Sequence, residues 1–279
     1  MRNQISIREN IVSDEEYINE ICKGVFNSKD YLPKIWKNWI KDKNGKFFVA
    51  VWEKKPIGTY HLYFEYKQVW MEALRVKKEF RKKGIGGILL EDAINRAQKY
   101  QNIKLLTDSN NKAALKLFDE YNFSSLSHQT MYKFNYTTNG INASTEIKEI
   151  SANEIESILK KAYYNSYSKL IPTWWRFWSS NDEIIKQISR RALGYSIKRG
   201  FEKCQAIFLN TTEYDFRKTL HLIYFNHNEL INEIIEKIAK QYHEYSIFTF
   251  QEKDHSNEYL LKENGFDNIL DIVILGKEV

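Results

Sequence analysis

The sequence has almost no cysteine. Cys22 and Cys204 are the two in 279 residues, far apart and without CxxC spacing. That excludes a disulfide framework and a cysteine zinc site, and it points to a reducing, cytoplasmic compartment. No apolar run reaches 18 residues, so no membrane-spanning helix is expected. The first residues, "MRNQISIREN", lack the apolar centre of a secretory leader, and none is expected. The histidines (61, 128, 221, 227, 243 and 255) have no metal-ligand spacing, and no metal is expected. Charge is nearly balanced. A formal +6 suits an anionic ligand, but no extended basic face calls for nucleic acid or a membrane surface.

What is present is a foldable chain. Hydrophobic residues make up 43% of it and aromatics 15%, enough for real cores, and the length favours two modest domains over one. "QISIREN" alternates like a strand. "SDEEYINEICKGVF" has helical rhythm, with Ser13 as N-cap and Glu16 at the capping-box position. "YLPKIWKNWIKD" reads as a second helix. "KFFVAVW", "IGTYHLYFEY" and "VWMEALRV" read as strands. A helix follows over about 85–100, with Ile85, Leu89, Ala93 and Ala97 inward and Glu91, Asp92, Arg96 and Lys99 outward. "IKLLTD" is a short buried strand. "NNKAALKLFDEYNF" is a helix capped by Asn110 or Asn111, and "HQTMYKFNY" closes the unit as a strand.

Residues 137–145, "TTNGINAST", are polar and aperiodic and read as a linker between domains at 1–136 and 146–279. Beyond them the element order repeats: strand and helix in "EIKEISANEIESILKKAYYN", then "TLHLIYF", "NELINEIIEKIAKQY", "YSIFTFQ", "SNEYLLKENGF" and "ILDIVILGKEV". Asn122–Phe123 and Gly265–Phe266 occupy equivalent places. Asn and Gly both tolerate the left-handed conformation that ends many helices.

"LRVKKEFRKKGIGG", residues 74–87, runs from a strand through a basic glycine turn into a helix. It is not a Walker A loop. Nor is it a GxGxxG fingerprint, since position 89 is Leu. Its physics still favours an anion, because unpaired N–H groups of a helix start converge there among Lys77, Lys78, Arg81, Lys82 and Lys83. The alternative is a solvated basic loop with helix-breaking glycines.

Arg81-Lys82-Lys83-Gly84-Ile85-Gly86 after Leu74 and Val76, followed by Asn111, Ala114, Leu117, Phe118, Asn122 and Phe123, resembles the signature of the GNAT acetyltransferase superfamily over about residues 4–135. The resemblance implies an α/β fold of the α+β kind. It would comprise two tandem GNAT-like domains, each a mixed, mostly antiparallel sheet flanked by helices. It implies acetyl-CoA as cosubstrate, and a small-molecule or peptide amine as acceptor. Arg81, Lys82, Lys83, Gly84, Ile85, Gly86 and Gly87 would hold the pyrophosphate. Leu74, Arg75 and Val76 would pair with the pantetheine arm, Asn111 would hydrogen-bond it, and Ala114 and Phe118 would line its channel. Glu72, taken by strand alternation to share a side with Leu74 and Val76, is the candidate base. Trp70 shares that face as pocket wall or core. Family members often have Tyr where this chain has Phe118, which cannot donate a proton, so Tyr121 one turn on is the candidate acid.

The second half has "NHNELINEII" where the first has the glycine stretch, so a degenerate domain binding no coenzyme A is expected. "IPTWWRFW", residues 171–178, reads either as an aromatic wall at the domain interface or as the start of an amphipathic core helix. Two functional alternatives stand beside catalysis: a non-catalytic acyl-CoA-binding module, and a nucleic-acid-associated protein using the basic segment.

Overall fold

The computed structural model describes residues 4–135, 146–211, 218–226, 230–253 and 257–279. The linker expected at 137–145 lies outside these residues, as do His227 and His255. The first half contains β1 (Ser6–Glu9), α1 (Glu15–Ile21), α2 (Leu32–Lys41), β2 (Gly45–Trp52), β3 (Lys55–Glu65), β4 (Gln68–Val76), α3 (Ile85–Ala97), β5 (Asn102–Asp108), α4 (Lys112–Glu120) and β6 (Ser124–Phe134). The second contains β7 (Ile147–Glu149), α5 (Ala152–Tyr164), β8 (Leu170–Thr173), β9 (Arg176–Ser179), α6 (Asp182–Ser189), β10 (Ala192–Arg199), β11 (Glu202–Asn210), β12 (Thr219–Phe225), α7 (Ile231–Gln241), β13 (Ser246–Glu252), α8 (Asn257–Glu263) and β14 (Phe266–Glu278).

The chain divides into two compact units. One comprises residues 1–107, 111–125 and 275–279, and the other residues 108–110 and 126–274. A cut at a linker would leave β6 with the first unit and the last residues with the second. Backbone pairing decides otherwise. β6 runs antiparallel to β13, with Lys133 opposite Phe248 and Gln129 opposite Glu252, while the Val279 N–H donates to the Gln101 carbonyl.

In the first unit, β1 to β4 are antiparallel neighbours in chain order and β5 joins β4 in parallel. Side chains alternate across a strand, so adjacent residues of β3 report on opposite faces. His61 meets Trp39 of α2, and Tyr60 bonds Asp92 of α3. The α1–α2 layer therefore covers one face and α3 the other. The buried stripes match: Leu32, Ile35, Trp36 and Trp39 on α2; Leu89, Leu90, Ala93 and Ala97 on α3. Arg96 is exposed, as expected, although its guanidinium lies 4.1 Å from the Phe48 ring centre, while Asp92 is half-buried and reaches the sheet at Tyr60.

The second unit repeats this plan internally. Its strand order is β14-β6-β13-β12-β11-β10-β7, with β12 and β13 parallel. Ile231, Ile234, Ile235 and Ile238 of α7 pack on Phe208, Leu220 and Leu222. Asn122 and Gly265 both have positive φ, 59° and 79°, and Phe123 and Phe266 are both buried. Residues 171–178 are not a helix start. They form the β8–β9 hairpin, with Trp174 and Trp175 at its turn. Trp174 lies 5.3 Å from Phe248, and Trp175 5.6 Å from Phe250. Alternating apolar residues that face aromatic partners suit a pleat better than a turn of helix.

Asp14, not Ser13, organises the start of α1. A 3-10 turn over Val12–Asp14 precedes the helix. It lets the Asp14 carboxylate accept the Ile11 N–H at 3.0 Å and both Arg8 guanidinium nitrogens at 2.7 Å. Burial pushes this carboxyl up, but Arg8 and the Ile11 N–H outweigh it, and its pKa is lowered. A depressed folded value stabilises above the unfolded pKa, and that contribution is lost as pH falls through the folded one. Asp14→Asn is expected to cost roughly 1–3 kcal/mol at pH 7. In urea titrations the gap from wild type should narrow as pH falls below the ordinary carboxylate range and through the lowered native value.

Candidate active site

The registered pairs of β4 and β5 end at Trp70–Lys104. Both strands continue, so β4 leaves its neighbour from Met71 onward. In the same stretch β4 carries a bulge. His61 faces Glu72 and Thr59 faces Arg75, so Ala73 and Leu74 together oppose Tyr60. Ala73 sits at φ 56°, the left-handed conformation that inserts the extra residue.

The bulge corrects a simple alternation. Glu72 does not share a side with Leu74 and Val76. It shares the α1–α2 face with His61 and Trp70, and Arg75 returns to that face beyond the bulge. Trp70 is 1% exposed and belongs to the core. Glu72 Oε1 lies 2.8 Å from His61 Nδ1, the Glu72 side chain 8% exposed and that of His61 fully buried. Arg75 donates to Asp30 at 3.0 Å, and its guanidinium lies 5.0 Å from Phe26 and 5.8 Å from Tyr31. Burial pushes the Tyr31 phenol well above its ordinary range, Arg75 opposes the shift, and Glu72 and Asp30 reinforce it. Burial likewise pushes Cys22, beside Asp30, up to about 12. Sequence reading missed Asp30, Tyr31, Trp39 and the partnership of His61. Their one signal was the aromatic density between residues 26 and 39.

The glycine turn lies beyond β4. Lys82 and Gly84 have φ of 58° and 80°. Gly84 precedes α3 with open space around it, and no side chain caps the helix. The first-turn N–H groups of a 13-residue helix therefore meet the basic turn, where Arg81, Lys82 and Lys83 are exposed. Lys77 points elsewhere, pairing with Glu20 at 2.5 Å and Glu79 at 3.1 Å. Arg81 Nε donates to the Val76 carbonyl at 2.9 Å and ties the turn back to the strand.

Gly86 and Gly87 have a different duty. A Cβ on Gly86 would stand 3.2 Å from Leu117, and one on Gly87 2.6 Å from the Tyr121 hydroxyl. They let α4 close onto the first turn of α3. Tyr121 thus rests at the turn end of α3. Asn111 caps α4, its Oδ1 accepting the Ala114 N–H at 3.2 Å. Phe118 is buried against Phe123, and Ala114 is half-buried. Among the described residues, no cluster of His, Cys, Asp or Glu could hold a metal ion, and no helix is long and apolar enough to cross a membrane.

Residues 13–123 match the model of the acetyltransferase (GNAT) family. Solved structures resemble the chain over nearly its whole length. A GCN5-related N-acetyltransferase from Sphaerobacter thermophilus has a TM-score of 0.65 at 10% identity, over 99% of this chain and 96% of that one. A proposed acetyltransferase from Thermoplasma acidophilum has a TM-score of 0.57 at 17% identity, over 98% and 100%. A GCN5-related N-acetyltransferase from Anabaena variabilis has 0.50 at 13%, over 98% and 72%. At these identities the likeness is one of fold: two GNAT-like domains of mixed, mostly antiparallel sheet. No curated protein matches.

The contact between Tyr121 and Gly87 is testable without any ligand. Gly87→Ala should lower the melting temperature by several degrees, about 1–3 kcal/mol of overpacking. Adding Tyr121→Phe, which removes the clashing oxygen, should restore most of that loss in differential scanning calorimetry.

Proposed function

With residues 13–123 a GNAT acetyltransferase domain, we propose that the protein is an N-acetyltransferase, transferring acetyl from acetyl-CoA to a primary amine of a small molecule or peptide by direct attack in a ternary complex. The observation that carries this reading is the alignment of three features along one strand–turn–helix. They are the splayed and bulged β4, the uncapped start of α3, and a nearly buried carboxylate at the bulge. Exposed Arg81, Lys82 and Lys83 and the N–H groups from Ile85 to Gly87 would grip the pyrophosphate through charge and helix dipole. Leu74 and Arg75 would offer their backbone to the pantetheine arm, with Val76 contributing its N–H, since its carbonyl already accepts from Arg81. Asn111 would reach the arm through its Nδ2. Ala114 would flank it, and Phe118 would support it from the core.

In this reading the acceptor ammonium gives one proton to Glu72. The neutral nitrogen adds to the thioester carbonyl, whose oxygen is stabilised by an N–H of the bulge. The C–S bond then breaks with its electron pair on sulfur. The second nitrogen proton is lost as the amide forms and ends on the thiolate, giving the thiol, while Glu72 returns its proton to water. Coenzyme A thiolate is a good leaving group, so Phe118 in place of a tyrosine slows this step without blocking it. Tyr121, at the turn end of α3, is the candidate acid for this step. The second unit lacks the glycine turn and would bind no coenzyme A.

Thiol release with acetyl-CoA and a panel of amines tests the proposal. Glu72→Gln should lower kcat about 10²- to 10⁴-fold while acetyl-CoA affinity by calorimetry stays unchanged. Tight acetyl-CoA binding with no release above background across the panel would instead identify an acyl-CoA-binding module.

A further inference from the structure

Resting on the reading of Glu72 as base, we propose that His61 is the positioning residue of the transfer. Its imidazole N–H would hold the Glu72 carboxylate ionised and aimed at the acceptor nitrogen. A carboxylate oxygen only accepts hydrogen bonds, so at 2.8 Å the proton between the two belongs to His61 Nδ1. The pair faces across the β3–β4 ladder at the last registered position before the bulge. His61 is itself built in. Its ring stacks on Trp39 at 4.1 Å with 11° between planes, and Phe47 meets it edge-on at 6.2 Å. At its far edge a Cβ on Gly45 would stand 2.5 Å from Nε2. α2, β2 and β3 together leave the imidazole one orientation. Trp39 is held in turn by Tyr31 at 6.2 Å and Phe47 at 5.9 Å.

Stability alone does not account for this arrangement. A buried ion-pairing couple is often no more stabilising than two apolar side chains of the same volume. Here the couple sits where β4 departs from β5, with the carboxylate as its more exposed member. A hydrogen bond to the charged form favours that form, which suits a base that must be ionised to take a proton. Tyr31, just ahead of α2, acts on this carboxylate, and Asp30 beside it, Cys22 at the end of α1 and Arg75 on β4 act on Tyr31 or on one another. Arg75 is engaged by Asp30, and His61 donates directly to Glu72.

The test uses the full chain and the thiol-release assay. His61→Phe keeps a flat ring against Trp39 and removes the donor. His61→Asn returns an N–H near the same point. The Phe variant should lower kcat on the order of 10- to 100-fold, with acetyl-CoA affinity and acceptor KM within about threefold of wild type. Its rising limb of kcat/KM against pH should move to higher pH, and the Asn variant should recover part of both effects. If His61→Phe fails to fold, Gly45→Ala displaces the ring with its chemistry intact, and the same kcat loss and pH shift are expected. Wild-type kcat and pH profile in a folded Phe or Gly45→Ala variant would overturn the proposal. So would a lowered melting temperature with an unmoved profile. Full activity in Glu72→Gln would overturn the reading of the base itself, a separate outcome.

Discussion

The bulge at Ala73 and Leu74 is the constraint on which the candidate site depends. One extra residue in β4 changes which side chains share a face. Without it, Glu72 and Arg75, three apart, would project to opposite sides of the sheet. With it, both turn toward the α1–α2 layer, where His61, Tyr31 and Asp30 meet them. The same stretch leaves β5, so backbone groups that would have closed a ladder face outward instead. The positive φ of Ala73 costs energy, and the buried partners of Glu72 and Arg75 hold it in place.

The glycine turn divides its work in a way its spacing did not reveal. Gly84 supplies a left-handed residue and open space before α3, the property an anion site needs. Gly86 and Gly87 instead admit Leu117 and Tyr121, so α4 braces the helix start. A three-glycine motif that looks like one feature is therefore an open turn at Gly84 resting on a packing joint at Gly86 and Gly87.

The second unit keeps the frame, and its sequence has no counterpart of the glycine turn. β12 and β13 are parallel for three pairs, and Ile223 forms the extra residue between Leu222–Phe208 and Tyr224–Ile207. The Tyr163 hydroxyl donates to the Ile223 carbonyl at 2.5 Å. The β8–β9 turn covers the same strands, its Trp174 N–H donating to His221 at 3.1 Å. Burial lowers His221 to about 3, so it stays neutral. Side chains of the unit itself occupy these positions, and the glycine turn is missing from its sequence.

Strands, helices and the glycine turn were legible because each follows a local rule. Strand-type runs marked β2 to β4, a short continuous apolar run marked β5, the four-residue stripe marked α3, and the turn stood out by composition. The order of elements marked the repeat for the same reason. The hairpin at 170–179 was not legible, since its aromatic residues suit a helix stripe as well as a pleat. Nor was the bulge, whose inserted residue is an ordinary Ala. The sequence by itself determined that residues 74–87 form a basic glycine turn between a strand and a helix and that a carboxylate precedes it on the strand. Only the tertiary structure decided which way that carboxylate faces, that His61 holds it, and that β6 belongs with β13. Those outcomes rest on pairings between residues distant along the chain, which local periodicity does not encode.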